Sequence, residues 1–225
     1  MPVELASVME RLESRYGAPP QPATRDPFET ILFEQIAYLA SDARRAETFE
    51  ALRARVGLAP ARILAARPAL LSEIATLGGI HAAERAERMR ASARLVLDEC
   101  AGDLRLQLRS LDHRGRMKLL RRFPMIGEPG AEKVLLFAGL EPLPALDSNG
   151  LRVLARVWLG GEGEYAATYR AVRQRITADQ AAYDLPNLVR AHHLLRRHGQ
   201  NVCNRKAPGC ASCPLAPACT FRQAS

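Results

Sequence analysis

Four cysteines near the C-terminus form the densest group of metal-binding side chains in the sequence. They are Cys203, Cys210, Cys213 and Cys219, with the spacing C-x6-C-x2-C-x5-C, whereas Cys100 lies far from them. A cytosolic compartment keeps thiols reduced, and thiolates bind soft metals well, so the spacing predicts a metal site rather than disulfides. Zinc sites more often have two short C-x-x-C arms and this run has one, but zinc and an iron–sulfur cluster both remain open.

Two acidic residues stand where a carboxylate can act in catalysis. Asp147 begins the segment LDSNGLRVLAR, and Glu34 is the lone acid within the apolar run ILFEQIAYLA. An aspartate before a helix is commonly an N-cap. Burial of a lone glutamate is costly unless it is paired or neutral, and burial raises its pKa toward the range of a general acid. A buried salt bridge to an arginine is the alternative for Glu34.

The charge balance indicates a polyanionic partner. The chain has 32 Lys and Arg against 24 Asp and Glu, a net charge of +8 and a pI near 9.7, and only three of its basic residues are lysines. Such an excess is attracted to phosphate, which makes nucleic acid the first candidate. A basic surface without a partner is the other interpretation.

Helical periodicity predicts an all-α protein that positions these groups. Apolar residues at Val3, Leu5, Val8 and Leu12 form one stripe. Asp26 followed by Pro27 begins a second, mostly apolar helix that continues through ETILFEQIAYLA. Further helices are predicted, without strand alternation, at 42–56, 60–66, 68–77, 82–100 and 104–111.

The segment LLRRFPMIGEPGAEKVLLFAG predicts a helix-hairpin-helix. One helix leads to a tight turn at 123–127, and a second helix follows Pro129. Such turns bind DNA because backbone N–H groups at a helix N-terminus face a phosphate without reading a base. A simple connection between two packed helices is the alternative. After the hairpin, Asp147 and Ser148 start a helix, GGEGE occupies 160–164, and two more helices lead to the cysteines.

Three features together resemble the endonuclease III superfamily of DNA glycosylases over residues 26–219. They are the hairpin, an aspartate eighteen residues after Pro129, and the pattern HG-x3-C-x4-P-x-C-x2-C-x5-C from His198 to Cys219. The resemblance implies two helical lobes that flank a DNA-binding cleft. A six-helix barrel with the hairpin would occupy 26–143, and residues 1–25 with 144–225 would form the other lobe, where the four cysteines hold a [4Fe-4S] cluster.

The resemblance also implies roles for both carboxylates. The segment around Asp147 is most similar to the adenine mismatch glycosylases, which carry LDxNxxRVLAR, and there the aspartate stabilises the developing oxocarbenium sugar or helps water attack it. This role and N-capping can coexist. Glu34 falls where monofunctional adenine and thymine mismatch glycosylases have a glutamate that protonates the base or positions water, whereas endonuclease III proper has an uncharged residue.

The sequence departs from the family at the hairpin. Bifunctional members have a Schiff-base lysine at the position of Pro129, which has no side-chain amine. Lys133 is the nearest substitute, about 5 Å further along the helix. Strand cleavage is therefore disfavoured. The first small glycine of the hairpin turn is Met125 here, while Gly127 is retained.

Several residues are candidates for DNA contact. Tyr38 or Leu39, on the same helix as Glu34, and Ile80 in LGGIH match positions that fill the stack when a base is flipped out, although each is equally consistent with the core. Met125 and Gly127 would bind phosphate at the hairpin. Arg205 and Lys206 would do so beside the cysteines.

These inferences predict an enzyme, a monofunctional DNA glycosylase of base excision repair. It would flip a damaged or mispaired base out of double-stranded DNA and hydrolyse the N-glycosidic bond. The alternatives are an endonuclease III-type glycosylase and AP lyase acting on oxidised pyrimidines through Lys133, or a DNA-binding paralogue with little catalysis. The resemblance implies a monomer. We expect it in the cytoplasm, associated with the nucleoid, because no apolar run approaches the roughly 20 residues that span a bilayer and the N-terminus is acidic.

Overall fold

The computed structural model describes residues 3–179 and 183–224, and the described chain is helical without a β-strand. The predicted all-α fold class is confirmed. No helix in this part of the chain is both long and apolar enough to cross a membrane. In order, the helices are α1 (Leu5–Tyr16), α2 (Pro27–Gln35), α3 (Asp42–Arg55), α4 (Pro60–Ala65), α5 (Pro68–Thr76), α6 (Ala82–Glu99), α7 (Leu104–Ser110), α8 (His113–Leu120), α9 (Glu128–Phe137), α10 (Ser148–Leu159), α11 (Tyr165–Ala178), α12 (Leu185–Asn201) and α13 (Thr220–Gln223).

The chain divides into two compact units. The first contains the residues up to Pro22 and those from Glu141 onward, and the second is Ala23–Leu140. The sequence predicts these boundaries after residues 25 and 143. The second unit contains eight helical segments, α2 to α9, of which α4 and α7 have fewer than eight residues.

The first unit is built around α10. This helix packs against α11, α12 and α13, and α1 packs against α12. Leu151, Leu154 and Val157 of α10 are buried, as are Leu5 and Leu12 of α1. The N-terminal segment is fixed to α10 by a hydrogen bond, because the indole Nε1 of Trp158 donates to the carbonyl of Val3 at 2.9 Å. The described residues from both ends of the chain therefore share one core.

The second unit is organised by α6 and α2. Helix α6 packs against α2, α4 and α5, while α2 also contacts α3, α7 and α9. The start of α2 forms as predicted, since the Asp26 carboxylate accepts hydrogen bonds from the backbone N–H groups of Phe28 and Glu29 at 2.9 and 3.0 Å. Pro27 then occupies the first turn, where no N–H is needed.

The end of α2 differs from the prediction. The helix stops at Gln35, so Tyr38 and Leu39 lie in a loop rather than on the helix of Glu34. The N–H of Tyr38 donates to the carbonyl of Gly78 at 3.0 Å, and Leu39 has a left-handed backbone with φ of 52°. Tertiary hydrogen bonds have thus replaced the next helical turn. Apolar periodicity alone does not reveal this, because it continues through the loop.

Candidate functional site

The four C-terminal cysteines surround one cavity in the first unit. It is lined by all four together with apolar side chains such as Val153, Val157 and Leu215. All five cysteines of the chain are free thiols, and each lies in the described region. Cys203 follows α12, Cys210 opens a 3₁₀ turn, and Cys219 precedes α13. The fold therefore gathers the predicted ligands around a single space.

Two arginines of α10 hold the backbone of the cysteine segment. Both are nearly buried. Arg152 donates through Nε to the carbonyl of Cys203 at 2.8 Å and through Nη2 to that of Gly199 at 2.8 Å. Arg156 donates to the carbonyl of Asn204 at 2.8 Å, and its Nη1 lies 3.4 Å from Cys203 Sγ. Sequence analysis did not identify these arginines, although their spacing in RVLAR places them on one helical face.

Burial and polar contacts act on the thiols in opposite directions. Burial raises the pKa of the Cys203 thiol, and the hydrogen bond and charge of Arg156 oppose this rise. Burial likewise raises the pKa of Cys213. His198 is fully buried, with Nδ1 at 2.9 Å from the Tyr16 hydroxyl and Nε2 at 3.4 Å from Cys213 Sγ. Burial, with a smaller contribution from Arg15, lowers the pKa of His198 to about 4, so the imidazole is neutral at pH 7.

Asp147 caps α10 and is also paired with a base. Its Oδ1 accepts hydrogen bonds from the N–H groups of Asn149 and Gly150 at 2.9 and 2.8 Å. Its Oδ2 accepts one from Arg196 of α12, and the aspartate side chain is 16% exposed. Burial by itself would raise the pKa of Asp147, but the charges of His192 and Arg196 and the backbone donors outweigh it. The pKa therefore lies well below its usual range.

A close helix approach brings Arg196 to Asp147. A Cβ at Gly199 of α12 would lie 2.8 Å from the carbonyl oxygen of Asn149, so only glycine fits there without movement. The imidazole of His192, one turn before Arg196, makes a 2.7 Å hydrogen bond with the carbonyl of Ala145. The role of Arg196 is not readable from the sequence, because it depends on how α12 crosses the start of α10.

Glu34 lies in the last turn of α2, in the second unit, and pairs with Lys133. Its Oε2 accepts a hydrogen bond from Lys133 Nζ at 2.7 Å, with side-chain exposures of 27% for the glutamate and 11% for the lysine. Arg45 donates to the backbone carbonyls of Phe33 and Glu34 and so fixes this turn. The sequence predicts either a buried acid or a salt bridge to an arginine. The structure instead gives a half-buried carboxylate paired with a lysine of α9.

The hairpin joins α8 to α9 through a turn in which Phe123 and Ile126 are buried. Helix α9 begins at Glu128, so it includes Pro129 instead of following it, and Gly127 is its N-cap. Met125 is exposed and has a φ of 67°, a left-handed conformation that costs a non-glycine residue about 1–2 kcal/mol. Position 125 of the hairpin turn thus has the left-handed backbone that favours glycine, although its side chain is a methionine.

The remaining candidates for DNA contact are exposed. Leu39 is 78% exposed and Ile80 is 51% exposed, and Tyr38 is also on the surface. None of the three belongs to the core, which was the alternative that the sequence left open. Arg205 and Lys206 are exposed beside the cysteines, and Arg205 lies 3.6 Å from a carboxylate oxygen of Glu162.

Comparison with curated proteins finds relatives of modest identity. The chain is 28% identical over 202 residues to endonuclease III of Sulfolobus acidocaldarius, covering 88% of this chain and 83% of that protein. It is 30% identical over 104 residues to endonuclease III of Rickettsia prowazekii and 29% identical over 114 residues to thymine/uracil-DNA glycosylase of Pyrobaculum aerophilum. These two alignments span about half of each chain, 46% in every case. No family model matches the sequence.

Solved structures share the fold. A trapped endonuclease III–DNA covalent intermediate matches with a TM-score of 0.73 and 18% identity, covering 99% of this chain and 98% of the other. A thermostable thymine-DNA glycosylase matches with a TM-score of 0.77 and 15% identity, covering 98% and 97%. At these identities the likeness establishes a common architecture and no more.

Proposed function

Because the chain belongs to the endonuclease III superfamily of helix-hairpin-helix DNA glycosylases, we propose that it is a monofunctional DNA glycosylase of base excision repair. It flips a damaged or mispaired base out of double-stranded DNA, hydrolyses the N-glycosidic bond and leaves the abasic strand intact. It works as a monomer on chromosomal DNA at the nucleoid. The observation that carries the proposal is the ionised Asp147 carboxylate, fixed at the start of α10 and still partly exposed.

Asp147 acts on the sugar. As the bond to the base breaks, the base leaves with the bonding electron pair and positive charge develops on the sugar ring. A carboxylate that is already ionised and oriented stabilises this charge without reorganisation. The backbone N–H groups of Asn149 and Gly150 and the guanidinium of Arg196 provide that orientation. Water then adds to C1′ and loses a proton, which completes the hydrolysis.

Glu34 acts as a hydrogen-bond acceptor in this proposal. Its contact with the Lys133 ammonium favours the carboxylate form, because an opposite charge at 2.7 Å stabilises the ion. A carboxylate accepts a proton from water or orients it, whereas protonation of the departing base requires the neutral acid. Water positioning is therefore the better supported of its two predicted roles.

The residues at the hairpin support the absence of strand cleavage. Pro129 has no amine and lies in the first turn of α9. Lys133 is ion-paired with Glu34, whereas a Schiff base requires a neutral amine free to attack the sugar. One observation favours the bifunctional alternative, since Glu34 is also placed to receive a proton from Lys133. Borohydride trapping separates the two functions.

Exposed apolar and glycine positions of the second unit support contact with DNA. Leu39 and Ile80, with Tyr38 beside them, supply side chains that fill the stack after the base leaves it. Gly127 at the N-cap of α9 and the neighbouring Met125 supply the backbone of a phosphate-binding turn. In the first unit, Arg205 and Lys206 supply cations for the phosphate backbone.

The four cysteines are proposed to hold a [4Fe-4S] cluster. Four thiols that line one space supply the donors this cofactor requires, and Arg156 and His198 lie within hydrogen-bonding distance of two of the sulfurs. When bound, the cluster supplies four covalent cross-links to a segment without a large core of its own.

Iron content tests the cofactor. Protein purified without air is expected to be brown, to contain about four iron and four sulfide per chain, and to lose its visible absorption on strong oxidation. Stoichiometric zinc in a colourless, iron-free preparation would refute the cluster.

A panel of single-lesion duplexes tests the activity. Each duplex carries one damaged or mispaired base, and base release is measured by strand cleavage after alkali. At least one substrate is expected to turn over with wild type and to fail with Asp147→Asn. Tight DNA binding without release from any substrate would instead support the DNA-binding paralogue.

A further inference from the structure

Two surface loops of the second unit present apolar side chains from strained backbones. The first apolar loop is residues 36–41, which carries Leu39, and the second apolar loop is residues 77–81, which carries Ile80. Leu39 and His81 have left-handed backbones with φ of 52° and 59°. Such conformations persist only where the surrounding structure determines them, and they are concentrated at sites of function.

The two loops are in direct backbone contact. The N–H of Tyr38 donates to the carbonyl of Gly78 at 3.0 Å. A Cβ at Gly78 would lie 2.5 Å from the carbonyl oxygen of Ile36, and one at Gly79 would lie 2.2 Å from that of Tyr38. The Gly-Gly pair therefore permits an approach that any other residue would prevent. A change in one loop must move the other.

Arg85 of α6 holds both loops through hydrogen bonds to their backbone carbonyls. It is 1% exposed, and its guanidinium donates to carbonyls on both sides of the loop contact. Nη1 donates to Ile36 of the first apolar loop. Nε donates to Ile80 at 2.9 Å and Nη2 to Gly79 at 2.8 Å, both in the second apolar loop, and Nη2 also donates to Ala75 at the end of α5.

Such a site is costly for a charged side chain. Arginine is seldom fully buried, and a buried charge destabilises a fold unless hydrogen bonds compensate for lost water. Burial, followed by the charges of Arg45 and Arg88, lowers the pKa of Arg85. An apolar side chain would fill the same volume at lower cost. What the guanidinium adds is a planar set of donors that reaches two separate loops at once.

We propose that Arg85 is a positioning residue that holds Leu39 and Ile80 ready to enter the duplex when a base is flipped. The inference rests on the proposed glycosylase function. Separating stacked bases costs free energy, and a loop that had to become ordered at the same moment would add its own entropic cost. Because Arg85 fixes both loops before DNA binds, the entropic cost of ordering them during base flipping is removed.

Substrates that differ only in stacking provide the test. Arg85→Lys keeps the charge but loses the planar fork. Arg90→Lys is the matched control, because Arg90 is also on α6 and also donates to backbone carbonyls, those of Leu64 and Ala66, outside both loops. Excision is measured on a fully paired duplex and on a bubble in which the target base is already unpaired. Arg85→Lys is expected to lower the duplex-to-bubble ratio about tenfold, and Arg90→Lys to leave it unchanged. An equal loss on both substrates would overturn the proposal.

A background without the two apolar side chains separates positioning from stability. Leu39 and Ile80 are exposed, so the double variant Leu39→Ala, Ile80→Ala should fold. It is expected to lower the duplex-to-bubble ratio by itself, and Arg85→Lys should then have no further effect on that ratio. If Arg85→Lys lowers the duplex-to-bubble ratio as much in the double variant as in wild type, the inference is contradicted.

Wild-type protein supplies a measurement that is independent of turnover and of variant folding. In free protein, the Tyr38 amide hydrogen is expected to be protected from exchange by its bond to Gly78. Fast exchange that slows only on binding a duplex with a tetrahydrofuran abasic analogue would show that DNA orders the loops, which refutes the role of Arg85. A protein with a protected Tyr38 amide but no base release would refute the glycosylase function and leave the loop arrangement intact.

Discussion

Asp147 and Glu34 are both proposed to act on the glycosidic bond, but the fold fixes their charges in different ways. Asp147 accepts two backbone hydrogen bonds from residues close to it in sequence, and Arg196 adds a tertiary contact. Glu34 forms an ion pair with Lys133, which is 99 residues away in the chain. The aspartate is therefore held mostly by local geometry. The glutamate depends on the packing of α2 against α9.

This difference separates the two carboxylates that are proposed to act in catalysis. The helix N-terminus orients Asp147 wherever α10 forms, so its position survives small changes in packing. The position of Glu34 is tied to a lysine on another helix, so its orientation changes if that contact is lost. Four substitutions test this comparison, from the largest expected effect to the smallest.

Asp147→Asn should have the largest effect. Asparagine is also a good N-cap, so α10 should be kept while the negative charge is lost. We expect base release to fall roughly 1000-fold, as for removal of a major transition-state contact, with little change in affinity for an abasic duplex. Single-turnover release and a gel-shift titration measure the two quantities. Asp184→Asn is the matched control, because Asp184 caps α12 through the N–H of Asn187 at 2.7 Å. Full activity in Asp147→Asn would remove its catalytic role.

Glu34→Gln should lower base release roughly 100-fold, because a neutral amide keeps a hydrogen-bond acceptor for Lys133 but cannot accept a proton. The same single-turnover assay applies. Glu29→Gln on the same helix is the control, since Glu29 accepts a hydrogen bond from Thr24 and lies in the first turn of α2 rather than the last. Equal activity of the two variants would assign Glu34 a structural role.

Arg196→Gln should change the pH dependence more than the rate at pH 7. The folded-state pKa of Asp147 is depressed, so its ionised form contributes stability above the ordinary pKa, and this contribution is lost as pH falls through the folded value. Without Arg196 that pKa rises, and the acid limb of stability and activity should move upward by about one pH unit. Thermal melts and base release measured between about pH 1 and 5, through and below the ordinary pKa of an aspartate, detect the shift. Arg190→Gln, on the same helix but paired with Glu13, should leave the limb in place. An unmoved limb in Arg196→Gln would mean that His192 and the backbone donors suffice.

Lys133→Met should have the smallest effect on base release, and it should have no effect on strand cleavage. Wild type is expected to give little covalent complex with DNA under borohydride reduction, and the variant is expected to give the same small amount. Base release should fall less than in Glu34→Gln, because the carboxylate remains. Efficient trapping by wild type that disappears in Lys133→Met would establish the bifunctional alternative instead.

Local sequence signals predicted much of the fold. Pro27 after an N-capping aspartate fixed the start of α2, and the bounds predicted for α3 to α7 lie within two residues of those observed. The same signals failed at the end of α2. Apolar residues continue through Tyr38 and Leu39, but Arg85 and Gly78 take the backbone groups that another helical turn would have used. Periodicity records which side chains are apolar, and it does not record which carbonyls another helix will bind.

The sequence alone determined the helical class, the grouping of four cysteines, Asp147 at a helix start and the absence of an amine at Pro129, because each depends on residue type and short-range spacing. Tertiary structure decided the partners. Arg196 reaches Asp147 because Gly199 lets α12 cross close to α10, and Lys133 reaches Glu34 because α9 packs on α2. Arg85 joins two loops that are about forty residues apart. The residue type determines the charge and hydrogen-bonding capacity of a side chain. The partner of that side chain is determined by packing between residues that are far apart in the sequence.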